Sequence, residues 1–544
     1  MTLSVQRSTR LRRHPGEPSH SQAGFTLLEI LVALFIFSVV GMISAQLLGR
    51  TLDAYEVLED RGDRLAQIHR AMFVVQRDML QYQDRTVRTA SGDSFPALMI
   101  GDAGSLEMTR GGWRNPLQRP RSDLQRVGYR LQDDDLVRAY WPVLDRLDRE
   151  EPLTQTILEG VDDLEFFVID EQGEEHKFWP PASSPDGTSA KLTGIILRIS
   201  MHPLASSNVF GRSPMGKRGP SLQSTGRHPS DERGVALITV LLITAILVGL
   251  TTQILSSHNL VINQHQNTFE HAQALEYALG AEELVRQTLY DDAVNSGPNV
   301  DHLEEAWAQP VLPLDLDGVG VMQAYVIDLH RCFNLNNLAD DAANPNFERL
   351  QRLTERLNIS PNFADLIKDW VDADQSVSGL GAEDSAYQIK RPPHLAANQI
   401  MRDLSELNML VDVNGQDIQT LSAQVCLVPD SQSKINVNTA DAITLSLLDP
   451  AISVADAEAV AQQSRNYQNV TDFVSANPAF LSVQSELSVT SEYFLMRAQA
   501  QLSQSRVSLT SLFRRDSSNG QVRLLQRDFG KPFRANTDSD SDSI

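Results

Sequence analysis

Two apolar runs limit what this chain can fold into, because each is long enough to cross a bilayer and each follows a basic stretch and a glycine. The first, GFTLLEILVALFIFSVV at 24–40, continues to Gly49 with a single ionisable side chain, Glu29. At ~1.5 Å per residue, the roughly 25 residues from Phe25 span the hydrocarbon core as a helix. The second begins at Arg233 and reads RGVALITVLLITAILVGLTTQIL, with no charge after that arginine. Aligned on Gly24 and Gly234, the second copy has Thr239 where the first has Glu29. A carboxylate near the middle of a span costs about 2.5–3.5 kcal/mol on insertion scales, so Glu29 needs a partner. A cut between Gly24 and Phe25 would supply one: the new cationic amine of a neighbouring subunit, paired in a low-dielectric setting.

The leader with Arg7, Arg10, Arg12 and Arg13, followed by Gly24, Phe25, Thr26, Leu27, Leu28, Glu29 and the apolar run, resembles the prepilin signature. It is similar to type IV pilins and type II secretion pseudopilins. The resemblance implies a prepilin peptidase that cleaves after Gly24 and methylates Phe25, and by alignment cleaves after Gly234 and methylates Val235. Glu29 then forms the assembly salt bridge. Thr239 suits a tip subunit, because a glutamate with nothing above it would stay unpaired in the membrane.

Taken in order, 1–24 is a cytoplasmic leader and 25–49 the transmembrane part of a first pilin helix. A first head fills 50–208, a linker with the second leader 209–234, a second span 235–257, and a second head 258–533. An acidic, low-complexity tail, expected to be disordered, closes the chain at 534–544. In the first head an apolar stripe from Leu48 to Tyr82 predicts one long helix. Short runs at 97–100, 106–109, 127–131, 136–141, 164–169 and 195–200 predict an antiparallel meander. In the second head Phe269, Leu275, Leu279, Leu284, Val285 and Leu289 continue a helix. Strand-like patterns at 323–329, 491–502, 507–513 and 520–527 flank a helical stretch. The fold class is therefore α+β: two pilin-like units, each a long N-terminal helix packed on an antiparallel sheet, the second with a helical insertion at about 340–480.

LEMTRGGWRNP at 106–116, LQRVGYRL at 124–131 and WPVLDR at 141–146 resemble the J-type minor pseudopilin of type II secretion; Trp113 and Arg114 are a candidate partner surface, although an aromatic in a strand turn is more often local core. RCFNLNNL at 331–338, DWVDAD at 369–374, INVNTA at 435–440 and the missing glutamate resemble the K-type. The two consecutive spans raise a topological conflict. With basic residues inside at both leaders, threading in series would leave the second head in the cytoplasm. Met215 offers a normal leader for separate initiation, so the expectation is two ordinarily separate proteins joined in one sequence.

The formal charge of −23 argues against a nucleic-acid surface covering the molecule. INVNTADAITLSLLDPAISVADAEAVAQQSRN resembles a helix-hairpin-helix, but its turn has no glycine and bears an aspartate, which favours a packing module. Cys332 and Cys426, the only two cysteines, lie on the same side of both runs, where an oxidising periplasm would join them. The chain-entropy value of such a loop is ~4–5 kcal/mol. Asp369, Asp372, Asp374, Glu383 and Asp384 offer hard oxygen ligands around a glycine-containing loop. The order does not match a twelve-residue EF-hand loop, so spacing alone favours a solvated acidic loop. The K-type resemblance implies calcium, with Asp372, Asp374, Glu383 and Asp384 as the expected ligands. No hydrolase, zinc or nucleotide motif appears, which points away from an enzyme.

The resemblance implies minor pseudopilins that nucleate and cap the pseudopilus tip and assist export of folded proteins across the outer membrane. They would be anchored in the inner membrane with heads in the periplasm. Expected partners are an I-type minor pseudopilin, the major pseudopilin, the prepilin peptidase and the assembly platform, together with J–K contact. Two other functions fit less well: a type IV pilus or DNA-uptake tip, and a calcium-dependent periplasmic protein that binds secretion substrates.

Overall fold

The computed structural model describes residues 27–101, 104–117, 119–147, 150–181, 191–201, 233–295, 300–316, 318–339 and 345–534. The first leader with Gly24 and Phe25, the linker with Met215, and the acidic tail beyond Arg534 lie outside the described residues. So do the side chains of Glu29, Val235 and Thr239, although helical backbone passes through their positions and through Gly234. The chain forms two compact units, Met1–His69 and Arg70–Ile544. Among the described residues no helix is long and apolar enough to cross a membrane; the two spans rest on the sequence runs, which fall partly outside the description.

Helix α1, Leu27–Leu80, contains the predicted stripe, but only its last part is covered. Leu58 and Leu65 are exposed, whereas Ala71 and Val75 are buried. The sheet behind them is five-stranded: β1 (Leu98–Ile100), β2 (Leu106–Arg110), β3 (Gln125–Gln132), β4 (Asp135–Tyr140) and β5 (Leu153–Leu158), in sequence order and antiparallel. The predicted meander ends there. Strands β6 (Val161–Asp170) and β7 (Leu192–Met201) pair in a separate sheet instead. β6 nevertheless turns Leu164, Phe166 and Val168 into the same core, where the Phe166 ring meets Tyr129 at 6.3 Å.

A buried charge ties α1 to this sheet. Asp78 is fully buried. It accepts from Tyr129 Oη at 2.6 Å and Arg138 Nε at 2.7 Å, and lies 2.9 Å from Arg110 Nη1. Burial, then the Asp78 charge, raises the Tyr129 phenol above its ordinary range.

In the second half, helix α2 (Arg233–Asn295) lies on a sheet of β8 (Val311–Asp315), β9 (Gly320–Asp328), β10 (Tyr493–Leu502), β11 (Ser505–Arg515) and β12 (Val522–Asp528), in that order and antiparallel. The helix continues as predicted, and its buried seam combines predicted residues with alanines. Ala274, Ala278 and Ala281 are buried with Val285 and Leu289, while Phe269 and Leu284 face outward. Alanines at this spacing share one helix face and let the backbone approach Ala324, Ala498 and Ala500 of the sheet.

Between β9 and β10 the chain makes the helical insertion, with α3 (Pro345–Arg356), α4 (Asn362–Val371), α5 (Ala442–Leu447), α6 (Val454–Ala461) and α7 (Val470–Ala476). α5 and α6 are the predicted hairpin. They pack on each other through Leu445, Leu448, Ile452, Ala457 and Val460. Two short parallel ladders fasten the insertion: Phe333–Asn334 with Val425–Cys426, and Ile435–Asn436 with Leu487–Ser488. Cys332 and Cys426 are joined by a disulfide beside the first, with Cα atoms 5.6 Å apart.

The asparagines of both K-like motifs satisfy backbone at these joints. Asn336 Nδ2 donates to Met401 O at 2.9 Å and Val428 O at 2.8 Å, and its Oδ1 accepts from Met401 N at 2.8 Å. Asn438 makes the equivalent pair of bonds to Tyr467, at 2.9 and 3.1 Å. These side chains replace ladder partners that irregular buried backbone lacks.

Candidate functional site

The two heads meet in a polar, largely buried joint. Arg85, just beyond α1, is fully buried. It contacts Asp145 Oδ2 at 2.6 Å and, from the helical insertion, Glu406 Oε2 at 3.2 Å. Burial alone would lower the guanidinium pKa; Asp145 and then Glu406 outweigh it, and the pKa is raised. Glu406 is also fixed by a capping box with Asp403. Next to it, Leu395 N donates to Asp145 O at 3.0 Å, Thr86 Oγ1 to Gln399 Oε1 at 2.7 Å, and Asp123 N to Ser405 Oγ at 2.8 Å.

A second patch explains the glycine pair of the first J-like motif. Gly112 has φ +70°, and a Cβ on Gly530 would stand 2.8 Å from the Gly112 Cα. The two backbones therefore touch where no side chain fits. Around this point Phe529 N donates to Gln81 Oε1 at 3.1 Å, and Arg114 Nη2 donates to Phe529 O at 3.1 Å. Arg114 thus faces the partner head, whereas the neighbouring Trp113 ring lies beneath the Arg121 guanidinium, 3.6 Å away.

The acidic loop follows α4. Asp365 and Asp369, one turn apart on that helix, accept from Leu380 N and Ser378 N, each at 3.0 Å. The loop can lie this close because a Cβ at Gly381 would fall 2.1 Å from Asp369 Oδ2. The wrap brings Asp372, Asp374 and Glu383 together, with one carboxylate oxygen of each within 4.8 Å of the others. Glu383 is 4% exposed and its Oε1 has no hydrogen-bond partner among the described residues. Burial first, then Asp369 and Asp372, pushes its pKa up to about 8. Such a cluster is short of positive charge, and three convergent carboxylates fit a hard divalent cation such as calcium.

The fourth expected ligand, Asp384, is used elsewhere. Its carboxylate accepts from Ala396 N at 2.9 Å and from Arg88 of the first head at 3.3 and 3.2 Å. It is therefore a joint residue that stands beside the cluster without entering it. Arg88 also donates to Ala396 O at 2.6 Å and Asn398 Oδ1 at 2.9 Å. Sequence reading missed Arg85, Asp145, Glu406 and Arg88. Their only signal was charge beside apolar residues, which does not distinguish a solvent-facing strand from a joint.

Two long-helix α+β heads, docked through buried charge, define a pair of pilin-like units. Sequence profiles match three regions: the prokaryotic N-terminal methylation motif at 19–45, type II secretion system protein J at 46–199 and type II secretion system protein K at 331–430. Protein K of Pseudomonas aeruginosa is 32% identical over 318 residues, covering 55% of this chain and 93% of that protein. Protein J of Vibrio cholerae is 34% identical over 183 residues, covering 32% of this chain and 81% of that protein. The chain belongs to the protein J family through its first half and to the protein K family through its second, a J–K fusion. Among solved structures, the GspK-GspI-GspJ complex from enterotoxigenic Escherichia coli aligns with a TM-score of 0.44 and 27% identity, covering 49% of this chain and all of that one.

Proposed function

We propose that this chain forms the tip of a type II secretion pseudopilus, its J and K heads docked as one nucleating and capping body that assists export of folded proteins. The observation that carries this reading is the Arg85–Asp145–Glu406 joint, because a buried charge shared by both halves positions the heads before any other subunit arrives. Thr239 in place of a glutamate supports an apical K half, and Glu29 supports a J half below it. The I-type minor pseudopilin, the major pseudopilin, the prepilin peptidase and the inner-membrane platform complete the assembly. The role is scaffolding, not catalysis.

Docked heads must share a compartment, the periplasm. Two consecutive spans with basic leaders do not deliver that, so the K half enters the membrane separately, from an internal start such as Met215. Mass spectrometry of the membrane fraction is expected to find Phe25 and Val235 as methylated first residues, with a K-half product beside any full-length 60.4 kDa chain. Finding only an uncleaved full-length chain would refute the scheme, as would normal secretion after deletion of the gene.

The acidic loop is proposed to hold calcium through Asp372, Asp374 and Glu383. Bound calcium supplies the positive charge that the cluster lacks and fixes the loop after α4. At one hundred times its dissociation constant, a ligand specific to the folded state adds about 2.7 kcal/mol. The chelated protein should therefore melt several degrees lower, roughly 2–4 °C per kcal/mol for a domain of this kind. The pH dependence follows from Glu383. Its folded pKa of about 8 lies above the ordinary glutamate value of 4.5, so metal-free stability is greatest below that lower value and falls as pH rises towards 8. Calcium should remove that fall and release a proton on binding. Identical melts with and without chelator across this range would refute the site.

A further inference from the structure

The sheet face opposite α2 carries a groove of about 450 Å³. Its floor includes Tyr325, Ile327, Leu495, Arg497 and Leu512, and the disulfide lies in one wall. Five cationic side chains line it, Arg331, Arg402, Arg497, Lys531 and Arg534, against two carboxylates. Both carboxylates are occupied: Asp403 pairs with Lys531, and Asp441 caps α5 by accepting from Thr444 N at 2.7 Å; among the cations, Arg402 lies 3.9 Å from Asp84. In a chain with 70 acidic and 47 basic residues, a groove of net positive charge is out of character. Arg497 donates to Tyr325 Oη at 3.4 Å, and its buried Nε has no partner among the described residues.

The described chain ends on the rim of this groove. Tyr325 Oη donates to Arg534 O at 2.6 Å, and the Phe533 ring stands edge-on to Tyr325 at 5.5 Å. The sequence then reads ANTDSDSDSI, with Asp538, Asp540 and Asp542 at alternate positions. In an extended strand alternate residues point to one side, about 6.7 Å apart, so three carboxylates would face the same surface. The four residues from Arg534 to Asp538 reach ~13 Å.

We propose that this groove is the docking site of the chain's own acidic segment 536–543, laid across the open sheet face with its aspartates towards Arg331, Arg402 and Arg497. The docked segment competes with other acidic peptides for the groove. This does not depend on the secretion role or on calcium.

The test compares the full chain with a chain truncated after Ala535, both in detergent, using a fluorescein-labelled peptide of residues 534–544 and anisotropy. The truncated chain is expected to bind the peptide, with affinity falling about tenfold or more from low to high salt. The full chain should bind it about tenfold less well, because a tethered segment acts at millimolar effective concentration. A peptide with the three aspartates changed to asparagine should not bind, and Arg497→Gln in the truncated chain should weaken binding. No binding to the truncated chain would overturn the proposal. So would equal binding to both chains, or equal binding of the asparagine peptide.

Discussion

Replacing Arg85 with alanine is expected to undock the two heads. The change leaves Asp145 and Glu406 facing each other in a buried site without the guanidinium that both contact. Breaking a buried pair by removing one partner costs about 3–5 kcal/mol, most of it from the charge left behind. Calorimetry of the full chain in detergent should then show two transitions where the parent shows one. Hydrogen exchange should rise at 84–88 and 395–406 together. The triple change Arg85→Met, Asp145→Asn, Glu406→Gln removes the stranded charges and should recover a large part of the loss. If Arg85→Ala left the melting profile and the exchange unchanged, the joint would not be what holds the heads.

The second large effect is expected at Asp78. Alanine there removes the acceptor of Tyr129 and Arg138 and the counter-charge of Arg110, leaving two arginines without compensation between α1 and the J sheet. The expected loss is again about 3–5 kcal/mol, on the same reasoning. In urea the midpoint of the J-head transition should fall with little change in slope. Asp78→Asn keeps the volume and part of the hydrogen bonding, so it should fall between the two. A midpoint unchanged in Asp78→Ala would show that apolar packing through Ala71 and Val75 suffices to hold the helix.

Much of this architecture was legible because it rests on local pattern. The stripe into α1, the alternation in β3, β6, β10 and β11, and the shift to helical character between β9 and β10 are all periodicities that short windows reveal. Three features were not legible, each for a physical reason. β5 reads LTQTIL and is mostly exposed, so its alternation is faint. The seam of α2 is made of alanines, which carry little hydrophobic signal yet set the closest approach. The joint residues Arg85, Arg88, Asp145 and Glu406 are ordinary surface types, distinguished only by a partner up to 321 positions away. The acidic loop falls between these cases. Spacing gathered Asp369, Asp372, Asp374, Glu383 and Asp384, and the K-type resemblance implied four of them as ligands, but only the fold shows that Asp384 pairs with Arg88.

The covalent link at Cys332 and Cys426 closes the chain at the neck where the helical insertion leaves the sheet. Everything from Phe333 to Val425, including α3, α4, the acidic loop and Glu406, is thereby a closed covalent loop. A pull on the strands that flank it would be carried across the sulfur–sulfur bond, so the loop between the two cysteines would not be drawn out.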